Sequence, residues 1–189
     1  MSGRRRTNHL DAEREGGTDA VVALHEEVDA TCAPLRARHE ERLQCRLGCT
    51  ACCIDGLTVF EVEAERIRGA HAELLEHGTP HPPGACAFLG DGGECRIYES
   101  RPYVCRTQGL PLRWWVEDGA GEIVERRSIC ELNEAGPPIE TLADDACWLI
   151  GPVEDRLIRL QAERDGEGTT RLALRNLFRQ SSAIEPDGE

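Results

Sequence analysis

The sequence predicts an α+β protein, with a small irregular cysteine-rich core of short β-hairpins flanked by N- and C-terminal helices. Three observations predict it. Eight of the ten cysteines fall between Gln44 and Asn133. That stretch is rich in Gly and Pro and short on periodic structure, as expected when bonds to metal replace part of a hydrophobic core. Apolar residues recur at helical spacing before it and after it. Two Gly-containing turns inside it separate short segments of strand character.

Each element has a local reason. Residues 1–17 are polar and read as a disordered tail. An N-terminal helical segment over 18–43 follows from Val21, Leu24, Val28 and Leu35, at steps of three, four and seven. Pro34 is expected to kink or divide it. Thr58 followed by Glu61 has the form of a capping box before a helix carrying Phe60, Ile67, Ala70 and Leu74. The run of His77, Gly78, Pro80, Pro82, Pro83 and Gly84 ends that helix in a rigid loop. Asp91, Gly92 and Gly93 make a hairpin-like turn. Ser100, Arg101 and Pro102 start a short helix with Cys105 on its first turns.

A second hairpin is expected from Leu112 to Ile129, turning through Asp118, Gly119, Ala120 and Gly121. One of Trp114 and Trp115 should pack inward and the other should mark a contact surface. The cysteine-cluster domain thus covers 44–135. Residues 136–180 read as a C-terminal helical segment. Pro152 opens one helix with Val153, Leu157 and Leu160 on a stripe, and Leu174, Leu177 and Phe178 form another. Residues 181–189 close as a tail.

Composition narrows the function. Twenty-two basic residues against 35 acidic ones leave a net charge of −13, which argues against nucleic acid and anionic membrane as partners. No apolar run approaches the roughly 20 residues that span a bilayer. The Arg4–Arg6 start leads into Asn8, His9, Asp11 and Glu13 with no apolar signal core, so a cytoplasmic location is expected. Thiols are kept reduced there, and metal or redox chemistry is the better account of ten cysteines than a disulfide framework. Every basic residue is Arg, which removes a lysine nucleophile from consideration.

The dense element is Cys45-Arg-Leu-Gly-Cys49-Thr-Ala-Cys52-Cys53, four thiols in nine residues. Gaps of two or three residues let neighbouring sulfurs face one centre, as zinc and iron–sulfur sites both require. Gly48 supplies the positive φ that wraps such a loop. Adjacent side chains diverge, so one of Cys52 and Cys53 is expected at the centre served by Cys45 and Cys49. Cys86, Cys95, Cys105 and Cys130 are too widely spaced for a local knuckle and must be gathered by the fold. Arg101 and Arg106 bracket Cys105, where guanidinium groups would offset thiolate charge or else pair with acids such as Glu99. Cys32 and Cys147 lie in apolar stretches and read as buried hydrophobes. His77 and His81 precede Cys86 and are the nearest imidazoles for a mixed site, although a Pro-rich loop favours solvent. His9, His25, His39 and His71 read as surface residues.

Taken together, the Cys45–Cys53 cluster, Cys86-Ala-Phe-Leu, Cys95-Arg-Ile-Tyr-Glu and Arg101-Pro-Tyr-Val-Cys105-Arg106 resemble the YkgJ-type cysteine-cluster family. Proteins of that family are described as zinc- or iron-chelating domains with a CxxCxxCC motif. The resemblance runs from about Cys45 to Arg106, with one extra residue in the first gap, and extends less closely to Cys130-Glu-Leu-Asn133. It implies metal binding by these cysteines and supplies no reaction.

Other readings of the same residues fit less well. A radical S-adenosylmethionine loop lacks its aromatic, where Ala51 stands, and no succession of βα units follows. A thioredoxin-like Cys49–Cys52 pair would be crowded by Cys45 and Cys53. The expectation is a metal-binding protein that uses Cys45, Cys49, Cys52, Cys53, Cys86, Cys95, Cys105 and Cys130. An iron–sulfur cluster of the [4Fe–4S] kind with a redox or catalytic role is favoured, and a structural zinc module is the alternative. A protein or redox partner is expected, and the sequence offers no substrate site.

Overall fold

The computed structural model describes residues 9–178, with side chains from residue 17 onward. Helix α1 (His9–Arg38) carries the expected stripe, with Val21, Leu24, Val28, Cys32 and Leu35 buried along one face. Steps of three and four keep these side chains in line on a 3.6-residue period. The helix continues through Pro34 without dividing. It also starts at His9, inside the segment read as a tail. Lengthening an existing helix costs little per residue, so composition alone underestimates its reach. Residues 1–8 and the expected tail at 181–189 lie outside the described residues.

Thr58 does not cap a helix. Thr58–Phe60 form strand β1, and α2 (Glu61–Ala70) starts after Phe60, whose N–H donates to Glu63 Oε2 at 3.4 Å. The acid that serves this helix end is Glu63, where the sequence pointed to Glu61. Helix α3 (Ala72–His77) follows a break at His71 and ends at Gly78, where the Pro-rich loop begins. Helix α4 (Tyr103–Arg106) follows Pro102 and carries Cys105, as expected.

Strands β2 (Leu112–Glu117) and β3 (Ile123–Ser128) form the second hairpin. Asp118 Oδ1 accepts from Ala120 N at 2.8 Å and Glu122 N at 3.0 Å, which fixes the turn. Strand β4 (Trp148–Leu149) joins the other side of β2 in parallel, giving the order β3-β2-β4. Helix α5 (Pro152–Asp165) starts at Pro152 as expected and ends against Gly166 at φ 80°. The rest of 136–178 is not α-helical, and 179–180 lie outside the described residues. Strand β5 (Arg171–Ala173) pairs antiparallel with β1, Val59 opposite Leu172. Leu174–Leu177 form a 3₁₀ turn, whose three-residue repeat produces the same apolar spacing as an α-helical stripe.

Two apolar cores result. In the first, the α1 stripe packs with Phe60, Val62, Tyr103, Leu110, Trp148, Val153 and Leu157. The Trp148 indole N–H donates to the Tyr103 hydroxyl at 2.9 Å, so the buried indole donor is paired. The second comprises Val59, Ala64, Ile67, Phe88, Ile97, Leu174 and Phe178, with Cys86 and Cys95 packed partly against it. Burying each Leu, Ile or Phe contributes about 1.5–3 kcal/mol. Helix α2 stands between the cores, giving Val62 to one and Ala64 and Ile67 to the other. Trp114 is half-buried and Trp115 exposed. No described helix is long and apolar enough to cross a membrane.

Candidate metal centre

Two successive tight turns build the dense element. The Cys49 N–H donates to Arg46 O and the Cys53 N–H to Thr50 O, both at 2.9 Å. Gly48 sits at φ 86°, in the left-handed region that glycine enters without a side-chain penalty. Its backbone rests on the next cysteine loop, where a Cβ on Gly93 would stand 3.1 Å from Gly48 Cα. The Cys86 N–H donates to Cys53 O at 2.9 Å, tying the Pro-rich loop to the cluster. Leu89 and Cys95 form a single antiparallel bridge, so the 91–93 turn brings Cys95 back beside the Cys86 segment. Helix α4 delivers Cys105 from a further direction.

Five thiols from four segments consequently act on one another electrostatically. Cys53 responds to Cys52, Cys86 and Cys95, and Cys95 responds to Cys52. Cys105 responds to Cys86, Cys95 and Cys52. Hydrogen bonding from Cys53 favours the Cys52 thiolate and brings its pKa down to about 6, against some burial. Donating that bond holds the Cys53 thiol protonated well above its ordinary range. Burial comes first for Cys86, Cys95 and Cys105, pushing all three up, the last to about 12. Several negative sulfurs at close quarters repel one another, and a bound cation would reverse that balance.

Cys45 stands in a different setting. Asn133, with none of its surface exposed, donates from Nδ2 to Cys45 Sγ at 3.5 Å and to Gly109 O at 2.8 Å. Asn133 N–H in turn donates to Cys130 O at 2.7 Å, which places the Cys130 segment on the same side. The eight candidate cysteines therefore sort into a mutually interacting five, Cys45 and Cys130 near Asn133, and Cys49 on the loop between. Among the described residues, no three His, Cys, Asp or Glu side chains already converge to hold a metal ion. Thiolate ligands commonly assemble on the ion itself. The donor chemistry, all sulfur and crowded, fits a thiophilic metal.

Cys32 is buried in the first apolar core, as expected, whereas Cys147 is buried but belongs to neither core and has Arg127 Nη1 4.0 Å from its sulfur. The histidine expectation needs correction. His25 and His39 are buried, and His71 is half-buried. His25 Nε2 lies 3.0 Å from Glu63 Oε1, and Arg66 donates to its other nitrogen, which sets the tautomer with the proton on Nε2. Glu63 Oε1 also accepts from Tyr103 N at 2.7 Å. His25 lies three and four residues from Val28 and Val21, so its place on the buried stripe was available from spacing. His39 Nε2 meets Ala146 O at 2.7 Å. The side chain of His9 lies outside those described. The flanking arginines are also occupied elsewhere. Arg101 reaches Asp29 at 3.3 Å and Tyr98 O at 2.8 Å, while Arg106 pairs with Asp29 and donates to Glu99 O at 2.8 Å. Their charge is spent on α1, although Arg101 still lowers the pKa of Cys95 slightly against its burial.

The candidate donors are all sulfur and come from separate loops of a small α+β scaffold, which is the donor chemistry of a thiol-based metal site. Residues 44–132 match the CxxCxxCC family, described as a "putative zinc- or iron-chelating domain". Residues 44–132 are thus similar to the cysteine-cluster family, and the match supports metal binding as the general chemistry of this segment. No curated protein and no solved structure matches the chain.

Proposed function

We propose that the chain holds an iron–sulfur cluster through its clustered cysteines and serves a redox or catalytic role with a protein partner in the cytoplasm. The observation that carries this reading is the five-thiol group of Cys52, Cys53, Cys86, Cys95 and Cys105, gathered without a histidine. Iron–sulfur clusters are held by cysteine thiolates, and an all-sulfur set suits them. In this reading Cys86, Cys95, Cys105 and one of Cys52 and Cys53 form the nucleus of the site. Cys45, Cys49 and Cys130 supply further ligands from the flanking loops. When bound, the cluster would supply one-electron chemistry; the chain's own part is to orient the sulfurs and limit their contact with water.

The zinc alternative rests on the same donors, since four-cysteine sites suit zinc equally. In that case the metal is structural and redox-silent, and the exposed side chains of Leu47, Ile54, Tyr98 and Leu132 beside the cysteine loops would meet a partner. Anaerobic purification with metal and sulfide analysis and visible and EPR spectra separates the two. Iron with sulfide supports the cluster, and stoichiometric zinc without either overturns it.

A further inference from the structure

We propose that Asn133 is a positioning residue for the metal site, acting through Cys45 with Gly109 as the other half of its cradle. The inference rests on the metal-binding reading and names how one sulfur is presented to it. Asn133 is fully buried and uses its whole amide. Its Oδ1 accepts from Gln44 N at 2.7 Å, beside Cys45 in the chain, and its Nδ2 donates to Gly109 O and toward Cys45 Sγ. Its own carbonyl accepts from Arg42 Nε at 2.9 Å, so the segment cannot drift.

Gly109 closes the other side of the sulfur. It sits at φ 87°, and a Cβ built on it would collide with Cys45 Sγ while standing 3.1 Å from Asn133 Nδ2. The sulfur therefore occupies a place that only glycine leaves open, with an N–H aimed at it. A donor to a metal-bound thiolate stabilises its charge and fixes its direction, as outer hydrogen bonds do at metal sites generally.

Zinc affinity, measured by competition with a chromophoric chelator, tests this in the full chain as a cycle of wild type, Asn133→Ala, Cys45→Ser and the double variant. The expected loss for Asn133→Ala is about 10–100-fold in the wild-type background. With Cys45→Ser already present, the same change should cost no more than about twofold. An equal loss in both backgrounds means a purely structural Asn133 and overturns the proposal. Gly109→Ala gives a second arm from the other side of the cradle, because its Cβ would displace the sulfur and crowd Asn133 Nδ2. It should reduce affinity with Cys45 present and not with Cys45→Ser, and equal effects again overturn the claim. A wild-type chain that takes up no metal would refute the metal-binding reading on its own. The Asn133 claim would then be decided by iodoacetamide alkylation of Cys45 mapped by mass spectrometry. A change of about tenfold in Asn133→Ala, with Cys86 unchanged, supports it, and an unchanged rate overturns it.

Discussion

Arg175 Nε donates to Asp55 Oδ1 at 2.9 Å across 120 residues of chain, two residues after Cys53. The same guanidinium reaches His81 O at 2.6 Å and Ala85 O at 2.8 Å, and Asp55 Oδ2 accepts from Gly84 N at 2.9 Å. One residue pair thus joins the cysteine loop, the Pro-rich loop and the Leu174–Leu177 turn. Arg175→Ala should loosen the 78–86 loop while leaving the first core intact. Limited proteolysis should then cut that loop faster than in wild type. An unchanged cleavage rate would show that the loop is held by other contacts.

Glu63 is the polar centre beneath α4. It accepts from His25 Nε2, Tyr103 N and Phe60 N while nearly fully buried. Removing it leaves three donors without an acceptor, so Glu63→Ala should cost about 3–5 kcal/mol. Urea unfolding measures this, and a loss below about 1 kcal/mol would mean that water or a rearranged neighbour takes its place.

Burial lowers the pKa of His25 and outweighs the hydrogen bond and charge of Glu63, which raise it, while the nearby Arg106 and Arg66 charges add to the lowering. The unfolded chain therefore takes up this proton at a higher pH than the folded one. Stability from neutral His25 is fully present above the ordinary value of 6.5 and falls as pH drops through it toward the folded pKa. Melting temperature should decline between pH 7.5 and 5.5, and His25→Asn should flatten that decline. The same slope in both proteins would remove His25 as its cause.

Cys32 is fully buried on the α1 stripe, and burial pushes its thiol up to about 11. It should remain unmodified by iodoacetamide at pH 8 in the folded chain and react only after denaturation. Rapid labelling of Cys32 under native conditions would contradict its place in the core.

Local signals carried much of this architecture. The α1 stripe, the Asp118 turn, the Pro152 helix start and the positive φ at Gly48 all follow from short-range chemistry. What was illegible depends on distant partners. β1 and β5 are three residues each, too short to show alternation, and only their pairing makes them strands. Thr58 looked like a cap because its sheet partner lies more than a hundred residues away. The thiol motif identified the chemistry, but neither the division between Cys45 and the five interacting thiols nor the diversion of Arg101 and Arg106 to Asp29 has any sequence signature.

The central claim is that the Cys45–Cys130 thiols hold a metal and the remaining two do not. Anaerobic purification of wild type, Cys105→Ser and Cys147→Ser, each assayed for iron, zinc and acid-labile sulfide, tests it most directly. The account predicts iron and sulfide in wild type and Cys147→Ser and their loss in Cys105→Ser. A metal-free wild type, or equal loss from both variants, would contradict it.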